Sequence, residues 1–354
     1  MIKSKPQYCN MKKVCIAMSG GVDSSVAAFL LKQQNYDCRG VFMITHDNCS
    51  GDMEDAKRVA SLLNIELDIL DLREKFNDVL DYFCSEYKKA RTPNPCVYCN
   101  RVMKFGLLWD HAKSKDCDHI ATGHYIRQEK GKIYVGSDLR KEQSYVLAMI
   151  DSDVVKHIIF PTGKYTKDQI REIAADNALG VENKPDSQEI CFIPNDDYVA
   201  CLENLCPEVV REGDIVYIDG KVLGKHQGIH RYTIGQRRGL GVAMGDPVYV
   251  VGLDAKTNTV TLGPKEKLLS KICYTDKPNW LINEPEEPFE AIVKIRYNNP
   301  GASATVYPLG NEMKIIFDDK MSAITPGQLA AIYIAEGDQR YLAGGGWIRS
   351  TQTS

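Results

Sequence analysis

The sequence predicts an α/β fold: a mainly parallel sheet covered by helices, followed by two smaller β-rich parts. Three observations predict it. Through the first half, short apolar runs alternate with apolar residues at helical spacing. The alternation stops near Asn177. From Gly213 onward the chain is rich in short strands and turns.

Residues 14–18 read as a buried parallel strand. Val26, Ala27, Phe29 and Leu30 follow at the spacing of one helix face. Between them stands Ala17-Met18-Ser19-Gly20-Gly21-Val22-Asp23-Ser24-Ser25, so a strand ends in a Gly-Gly turn that opens a helix. Two glycines allow φ > 0 and a close approach of backbone to ligand. The N–H groups of such a turn, with the helix N-terminus, attract an anion such as phosphate. Ser19, Ser24 and Ser25 add hydroxyl donors. No GxxxxGK[ST] occurs at this loop, so no P-loop lysine is available. The plainer alternative is an ordinary turn with a capping serine, and the compactness of the pattern weighs against it.

Residues 40–44 make a second buried strand, and Met53, Ala56, Val59, Ala60 and Leu63 the helix after it. Leu67, Ile69 and Leu70 mark a third strand; Phe76, Val79, Leu80, Phe83 and Tyr87 mark a longer helix. Phe105, Leu108, Trp109 and Ala112 mark another helix, and residues 119–122 a further strand. In parallel sheets ligands bind beyond the carboxyl ends of the strands. Here those ends are the Gly-Gly loop, the end of the Met43 strand, and Gly123-His124. Residues 215–218 with Asp219-Gly220 signal a hairpin, and 248–251 and 259–262 continue the pattern. Residues 290–297, 303–308, 313–317 and 328–335 read as strands of a small antiparallel barrel or sandwich. The changes of character set domains at 1–205, 206–270 and 271–354.

The 354 residues suit two or three domains, and a 44% hydrophobic share is ample for their cores. No run approaches the ~18 apolar residues of a membrane span. Residues 1–13 are polar and basic with no apolar core, which argues against a signal peptide. Twelve cysteines without such a signal point to a reducing, cytoplasmic setting, with thiols that are buried, catalytic or metal-binding. A net charge of −3 gives no global argument for nucleic acid. Local patches do: residues 220–241 hold Lys221, Lys225, Arg231, Arg237 and Arg238 with no acidic residue. Lys88, Lys89 and Arg91 form a second candidate patch.

A second site lies in Thr92-Pro93-Asn94-Pro95-Cys96-Val97-Tyr98-Cys99-Asn100. Its prolines and asparagines predict a rigid loop, with a helix starting just after it. Cys99 near that helix N-terminus would have its thiolate stabilised. A structural zinc half-site is the plainer alternative, but such sites need four ligands and no second CxxC exists. Cys191, between Ile190 and Phe192, would by itself read as a small buried hydrophobe. Cys15 and Cys38 look like core filler. Trp280 and Trp347 read as core anchors.

The Gly-Gly loop resembles the pyrophosphate loop of ATP-pyrophosphatases. The rest of the chain sharpens this. SGGVDSS, TPNPCVYCN, ATGHY (121–125), KEQSY (141–145), DSQEICFI, HQGIHRYTIGQRRGLG (226–241), KIRY (294–297) and TPGQ (325–328) follow one another in that order. The set resembles the tRNA-specific 2-thiouridylase (MnmA/TrmU) family from about residue 12 to 349. The resemblance implies an N-terminal Rossmann-like PP-loop domain of the adenine-nucleotide alpha-hydrolase type, a small β-rich central domain and a C-terminal antiparallel β-barrel. It implies ATP-dependent sulfur insertion at C2 of the wobble uridine, position 34, of tRNAs with Lys, Glu and Gln type anticodons. Ala17, Met18, Ser19, Gly20, Gly21, Val22, Asp23 and Ser24 would hold ATP phosphates, with Met43 and Gly123 lining the adenosine site and Mg²⁺ neutralising charge. Cys99 matches the nucleophile and Cys191 the persulfide-bearing cysteine. Asn94, Pro95, Cys96, His124, Lys141, Glu142, Gln143, Arg296, Tyr297 and Gln328 match tRNA contacts. A sulfur-relay protein or cysteine desulfurase would supply the sulfur, and each turnover would leave a Cys99–Cys191 disulfide.

Two departures stand out. Many family members carry Asp where this chain has Cys96, so a carboxylate role there does not carry over. Cys96, Cys99 and Cys191 could instead give three thiolates to a [4Fe–4S] cluster; on ligand count the persulfide route is favoured. The segment 44–52 is also shorter than the family's acidic insertion. Other ATP-pyrophosphatases, such as amidotransferase-type synthetases or a tRNA lysidine ligase, share the loop but have no need of Cys99 and Cys191. An inactive RNA-binding or sulfur-carrier module has no need of an intact SGGVDSS.

Overall fold

The computed structural model describes residues 11–185 and 190–352. The opening segment 1–10 and the Asp-Ser-Gln-Glu stretch of the Cys191 motif, 186–189, lie outside the described residues. Along the chain the elements run β1 (Lys13–Ala17), α1 (Val22–Gln33), β2 (Asp37–Ile44), α2 (Ser50–Leu62), β3 (Glu66–Asp71), α3 (Arg73–Lys88) and α4 (Pro95–Cys99). A π-helical stretch Asn100–Leu107 precedes α5 (Leu108–Ser114) and β4 (His119–Ala121). The hairpin β5 (Ile126–Glu129) and β6 (Lys132–Val135) leads to α6 (Ser152–Val155), β7 (Ile158–Ile159), α7 (Lys167–Asp176) and α8 (Tyr198–Leu205).

The chain packs as two compact units. Among the described residues the first comprises 11–76, 100–144 and 150–185; the second comprises 77–99, 145–149 and 190–352. In the first unit a parallel sheet runs in the order β3-β2-β1-β4-β7. Sequence order reverses at β1, which is where an open α/β sheet forms its ligand crevice. Val14, Cys15 and Ile16 of β1 are fully buried, as are Val26, Ala28 and Leu31 of α1. Each large aliphatic side chain so buried is worth about 1.5–3 kcal/mol. Burial also holds Cys15 as a neutral thiol, its pKa pushed up to about 12. Arg39 of β2 bridges Asp68 (2.7 Å) and Glu66 (2.7 Å) of β3. His111 of α5 donates to Asp68 at 2.7 Å.

The second unit holds two β structures. β8 (Gly213–Tyr217), β9 (Val222–His226), β10 (Tyr249–Asp254) and β11 (Thr259–Gly263) form a sheet ordered β10-β11-β8-β9. Six strands then close on themselves: β12 (Leu269–Trp280), β13 (Phe289–Lys294), β14 (Ala302–Pro308), β15 (Glu312–Ser322), β16 (Leu329–Glu336) and β17 (Gln339–Gln352). All six pairings are antiparallel, and β12 with β17 completes the barrel. Closure removes the exposed edges that an open sheet of this size would present. The central core gathers Ile215, Val250, Val260 and Leu262. The barrel interior gathers Val293, Val306, Ile315 and Phe317, with Trp280 packed against it.

Candidate functional site

In the first unit the site begins where β1 ends. Gly20 has φ +76, and a Cβ there would lie 2.1 Å from the Asp52 carbonyl oxygen, so only glycine fits. Gly21, in extended conformation, is the N-cap of α1, with no side-chain cap. The serines shape the loop rather than extending donors outward. Ser24 Oγ accepts from Ser19 N (3.2 Å) and donates to the Gly21 carbonyl (3.1 Å). Ser25 Oγ donates to the same carbonyl at 2.9 Å. The backbone donors are the groups left over: among the described residues, the N–H groups of Gly20, Gly21, Val22 and Asp23 meet no acceptor. Met18 and Val22 turn their side chains into the core, so only their backbone faces the loop. Met43 is half-buried near the end of β2. Gly123 follows β4, and a Cβ there would lie 2.6 Å from Asp23 C, so a bare backbone is needed.

Asp23 is clamped. Lys167 Nζ donates to both its oxygens at 2.8 and 2.9 Å, and Tyr125 Oη donates at 2.6 Å. Lys167 is the first residue of α7, whose Thr166–Gln169 capping box fixes its backbone. Its N–H donates to Asp138 at 3.0 Å. On the other side of the loop, Lys184 Nζ donates to the Gly20 carbonyl (3.2 Å), Asp52 (2.8 Å) and Asp55 (2.6 Å). Both ammonium groups beside the loop are thus held by carboxylates. His124 is buried among Phe105 and Phe160, and Thr122 Oγ1 lies 2.6 Å from its Nδ1. Burial, with Lys104 nearby, holds its pKa well below the ordinary histidine value. Gln143 accepts from Tyr125 N at 3.0 Å. Glu142 is buried and accepts from Ser144 N, while Lys141 is half-buried.

In the second unit the CxxC stretch is helical where sequence reasoning expected a loop. Asn94 Oδ1 accepts from Val97 N (3.2 Å), which makes Asn94 the N-cap of α4 and Pro95 its first residue. Cys96 thus sits in the first turn and Cys99 at the C-terminal end. Cys99 therefore does not stand just ahead of a helix start, where the sequence placed it. Tyr98 stacks on Tyr82 of α3, centroids 4.5 Å apart, and Tyr82 also meets Trp347 at 5.5 Å. The TPGQ turn grips the start of this stretch. Thr92 N donates to the Pro326 carbonyl at 2.9 Å, and Gln328 Nε2 donates to the carbonyls of Thr92 and Pro93, both at 3.0 Å. Arg296 reaches the Ala323 carbonyl (2.5 Å) and Thr325 Oγ1 (3.0 Å), and Tyr297 is exposed.

Cys191 is exposed, while Ile190 and Phe192 on either side are partly buried. Phe192 meets Phe83 edge-on at 5.3 Å, and Ile190 packs on the same cluster. Helix α3 therefore supports both cysteine segments, one through Tyr82 and the other through Phe83. Cys96, Cys99 and Cys191 all stand as thiols, so the expected Cys99–Cys191 disulfide is not formed in this state. Among the described residues no three His, Cys, Asp or Glu side chains gather as a metal-ligand set.

The basic patches are largely committed to internal ion pairs. Lys88 pairs with Glu208 (2.6 Å), and Lys89 and Arg91 with Glu86 (3.0 and 2.9 Å). Lys225 pairs with Asp214 (2.8 Å) and Arg231 with Glu203 (2.5 Å). Lys221, Arg237 and Arg238 are exposed and make no ion pair among the described residues. Sequence reasoning missed Lys167, Tyr125, Lys184, Tyr82 and Phe83. A lysine at the start of a capped helix was the one visible signal, and it named no partner.

Comparison with known proteins covers the whole architecture. Residues 12–195 match a family model described as a tRNA methyl transferase HUP domain. Residues 201–264 match a tRNA methyl transferase PRC-barrel domain, and 270–348 an aminomethyltransferase beta-barrel domain. The tRNA-specific 2-thiouridylase MnmA of Halothermothrix orenii is 42% identical over 359 residues, covering 96% of this chain and 99% of its own. That of Clostridium acetobutylicum is 44% identical over 357 residues, with the same coverage of 96% and 99%. A solved U34-tRNA thiolase from Methanococcus maripaludis, with its [4Fe–4S] cluster, is 18% identical with a TM-score of 0.36. It covers 57% of this chain and 67% of its own, a likeness too low to bear on chemistry.

Proposed function

This chain belongs to the tRNA-specific 2-thiouridylase family, and we propose that its Gly20–Gly21 loop activates a tRNA uridine with ATP so that sulfur can replace the C2 oxygen. It is a tRNA sulfurtransferase that carries out ATP-dependent 2-thiolation. The family model's methyl-transferase label is set aside, because relatives matched almost end to end carry the thiouridylase name.

In the proposed course the target is the wobble uridine, position 34, of tRNAs with Lys, Glu and Gln type anticodons. Its O2 attacks the ATP α-phosphorus and pyrophosphate leaves. The open amides from Gly20 to Asp23 suit the phosphates, with Ala17, Met18, Ser19 and Ser24 framing them and Met43 and Gly123 beside the adenosine. Mg²⁺ arrives with ATP as part of the substrate. The terminal sulfur of a Cys191 persulfide then attacks C2, and AMP departs with the former O2. Cys99 attacks Cys191 Sγ and breaks the S–S bond; the sulfur stays on C2 and a Cys99–Cys191 disulfide remains. An external dithiol reduces it. A sulfur-relay protein or cysteine desulfurase reloads Cys191, in the cytoplasm. Domain limits of 1–205, 206–270 and 271–354 belong to the same reading.

The observation that carries this course is the display of Cys191: the residue is exposed while Ile190 and Phe192 on either side pack, partly buried, on the Phe83 cluster. A donor protein can reach such a thiol. The contacts with tRNA proposed for Asn94, Pro95, Cys96, His124, Lys141, Glu142, Gln143, Arg296, Tyr297 and Gln328 divide by structure. Tyr297 is exposed and suited to direct contact, whereas Asn94, His124 and Gln328 shape the surface through internal bonds. Among the described residues no three His, Cys, Asp or Glu side chains gather as a metal-ligand set, which supports the persulfide route over a [4Fe–4S] cluster on Cys96, Cys99 and Cys191.

The test is formation of 2-thiouridine from tRNA, ATP, Mg²⁺ and a persulfide donor. Cys99→Ser and Cys191→Ser are each expected to abolish product while tRNA affinity stays nearly unchanged. Absence of product with wild-type enzyme, oxic and anaerobic, overturns the assignment. Stoichiometric iron and sulfide in anaerobic protein, lost together with activity in Cys96→Ala, would replace the persulfide route with the cluster route. Full activity of metal-free protein supports the persulfide route.

A further inference from the structure

Lys184 stands at the Gly-Gly loop with all three ammonium donors in use, and its partners are of two kinds. One is the Gly20 carbonyl, part of the loop itself, at 3.2 Å. The others are the carboxylates of Asp52 (2.8 Å) and Asp55 (2.6 Å), at the N-terminal end of α2. The bond to Gly20 puts the ammonium at the loop, beside backbone N–H groups that meet no acceptor. The α2 end is pressed onto that same glycine, since a Gly20 Cβ would lie 2.1 Å from Asp52 O. The loop sequence itself offers no cation, and Lys167 is bound to Asp23. An incoming polyphosphate thus meets one ammonium held by two carboxylates, of which Asp52 is 56% exposed. Exposed carboxylates form weak pairs, so a polyphosphate can displace them.

We propose that Lys184 is a polyphosphate-binding residue of the ATP site, which exchanges Asp52 and Asp55 for β- or γ-phosphate oxygens when ATP enters. The proposal rests on the reading of the loop as the ATP site. It gives Lys184 a role that the loop motif does not assign and that a purely structural lysine would not have. Its signature is discrimination between ATP and AMP, because AMP lacks the β- and γ-phosphates. The two kinds of partner also predict opposite signs. Removing the lysine removes an attraction, whereas removing the carboxylates removes competitors for it.

The experiment is titration calorimetry of the full chain with ATP and with AMP, both with Mg²⁺. Lys184→Met is expected to raise the ATP Kd about tenfold, the size of a lost hydrogen bond to a charged group, while the AMP Kd moves less than about twofold. Lys184→Arg is expected to restore part of the ATP affinity. Asp52→Asn with Asp55→Asn is expected to tighten ATP binding or leave it unchanged. The proposal is overturned if Lys184→Met weakens ATP and AMP equally, or weakens neither. It is also overturned if the double Asn variant loses ATP affinity. Wild-type protein that binds no ATP overturns the parent reading instead. Should Lys184→Met fail to fold, the Lys184→Arg and double Asn titrations carry the same decision.

Discussion

Asp23 is committed before any substrate arrives. Its two oxygens meet Lys167 at 2.8 and 2.9 Å, and Tyr125 adds a third donor at 2.6 Å. Asp23→Ala removes the carboxylate that accepts two bonds from the nearly buried Lys167 ammonium. AMP and pyrophosphate formation are expected to fall by roughly 10²-fold or more, with tRNA affinity retained; single-turnover assays with labelled ATP and tRNA titrations check this. A second carboxylate sets acid stability. Asp68 is held down to about 2, first by its hydrogen bond from Arg39 and then by that from His111, against the opposing effect of burial. A folded pKa below the unfolded value near 4 gives stability that is complete above pH 4 and lost as pH falls toward 2. Melting temperature should therefore fall across that window, and Asp68→Asn should flatten that part of the profile while lowering stability at neutral pH by about 2 kcal/mol. Neither carboxylate could be read as paired from the sequence. Lys167 lies 144 residues from Asp23, and no local spacing links them.

At the scale of elements, α4 shows what sequence reasoning read and what it misjudged. The prolines and asparagines of the CxxC stretch correctly marked a break, but Asn94 and Pro95 are also an N-cap and a first helical residue. The same signal therefore opens a helix at Pro95, ahead of CxxC rather than after it. Strands β12 and β17 were missing from the sequence reading for a related reason. β12 carries Pro278 and a left-handed Lys277 (φ +51) at a bulge, and β17 carries three consecutive glycines where it pairs with its neighbours. Both features read as breakers, yet close packing demands them: a Cβ on Gly345 would lie 2.7 Å from Ala330 O. The turn that positions the CxxC stretch is testable. Gln328→Ala releases two carbonyls, at about 1 kcal/mol each. Alkylation of Cys96 and Cys99, followed by mass spectrometry, should accelerate, and thiolation should slow with the ATP Kd unchanged. An unaltered alkylation rate would show that Gln328 does not hold this stretch.

At the scale of the whole molecule, the net charge of −3 must be reconciled with a polyanionic substrate. The parallel-sheet start and the order of sheet domain, central β-rich part and barrel were legible because each has a local pattern. Which basic residues are available was not, because pairing depends on the fold. Glu86 takes up Lys89 and Arg91, Glu203 takes up Arg231, and Asp214 takes up Lys225. Counting lysines and arginines therefore overstates the charge offered to RNA. Arg237 and Arg238 are exposed in a Gly-rich stretch and make no ion pair among the described residues. They are the residues expected to release counterions on binding. Arg237→Gln with Arg238→Gln should weaken tRNA binding at low salt and reduce the slope of log K against log salt by about 1.5 to 2. Arg231→Gln should change that slope little, because its charge is already spent on Glu203, and should instead lower the melting temperature. Filter binding across a salt series separates the two outcomes. A slope that falls equally in both variants would mean that RNA breaks the Glu203 pair on binding and that the patch acts as one surface.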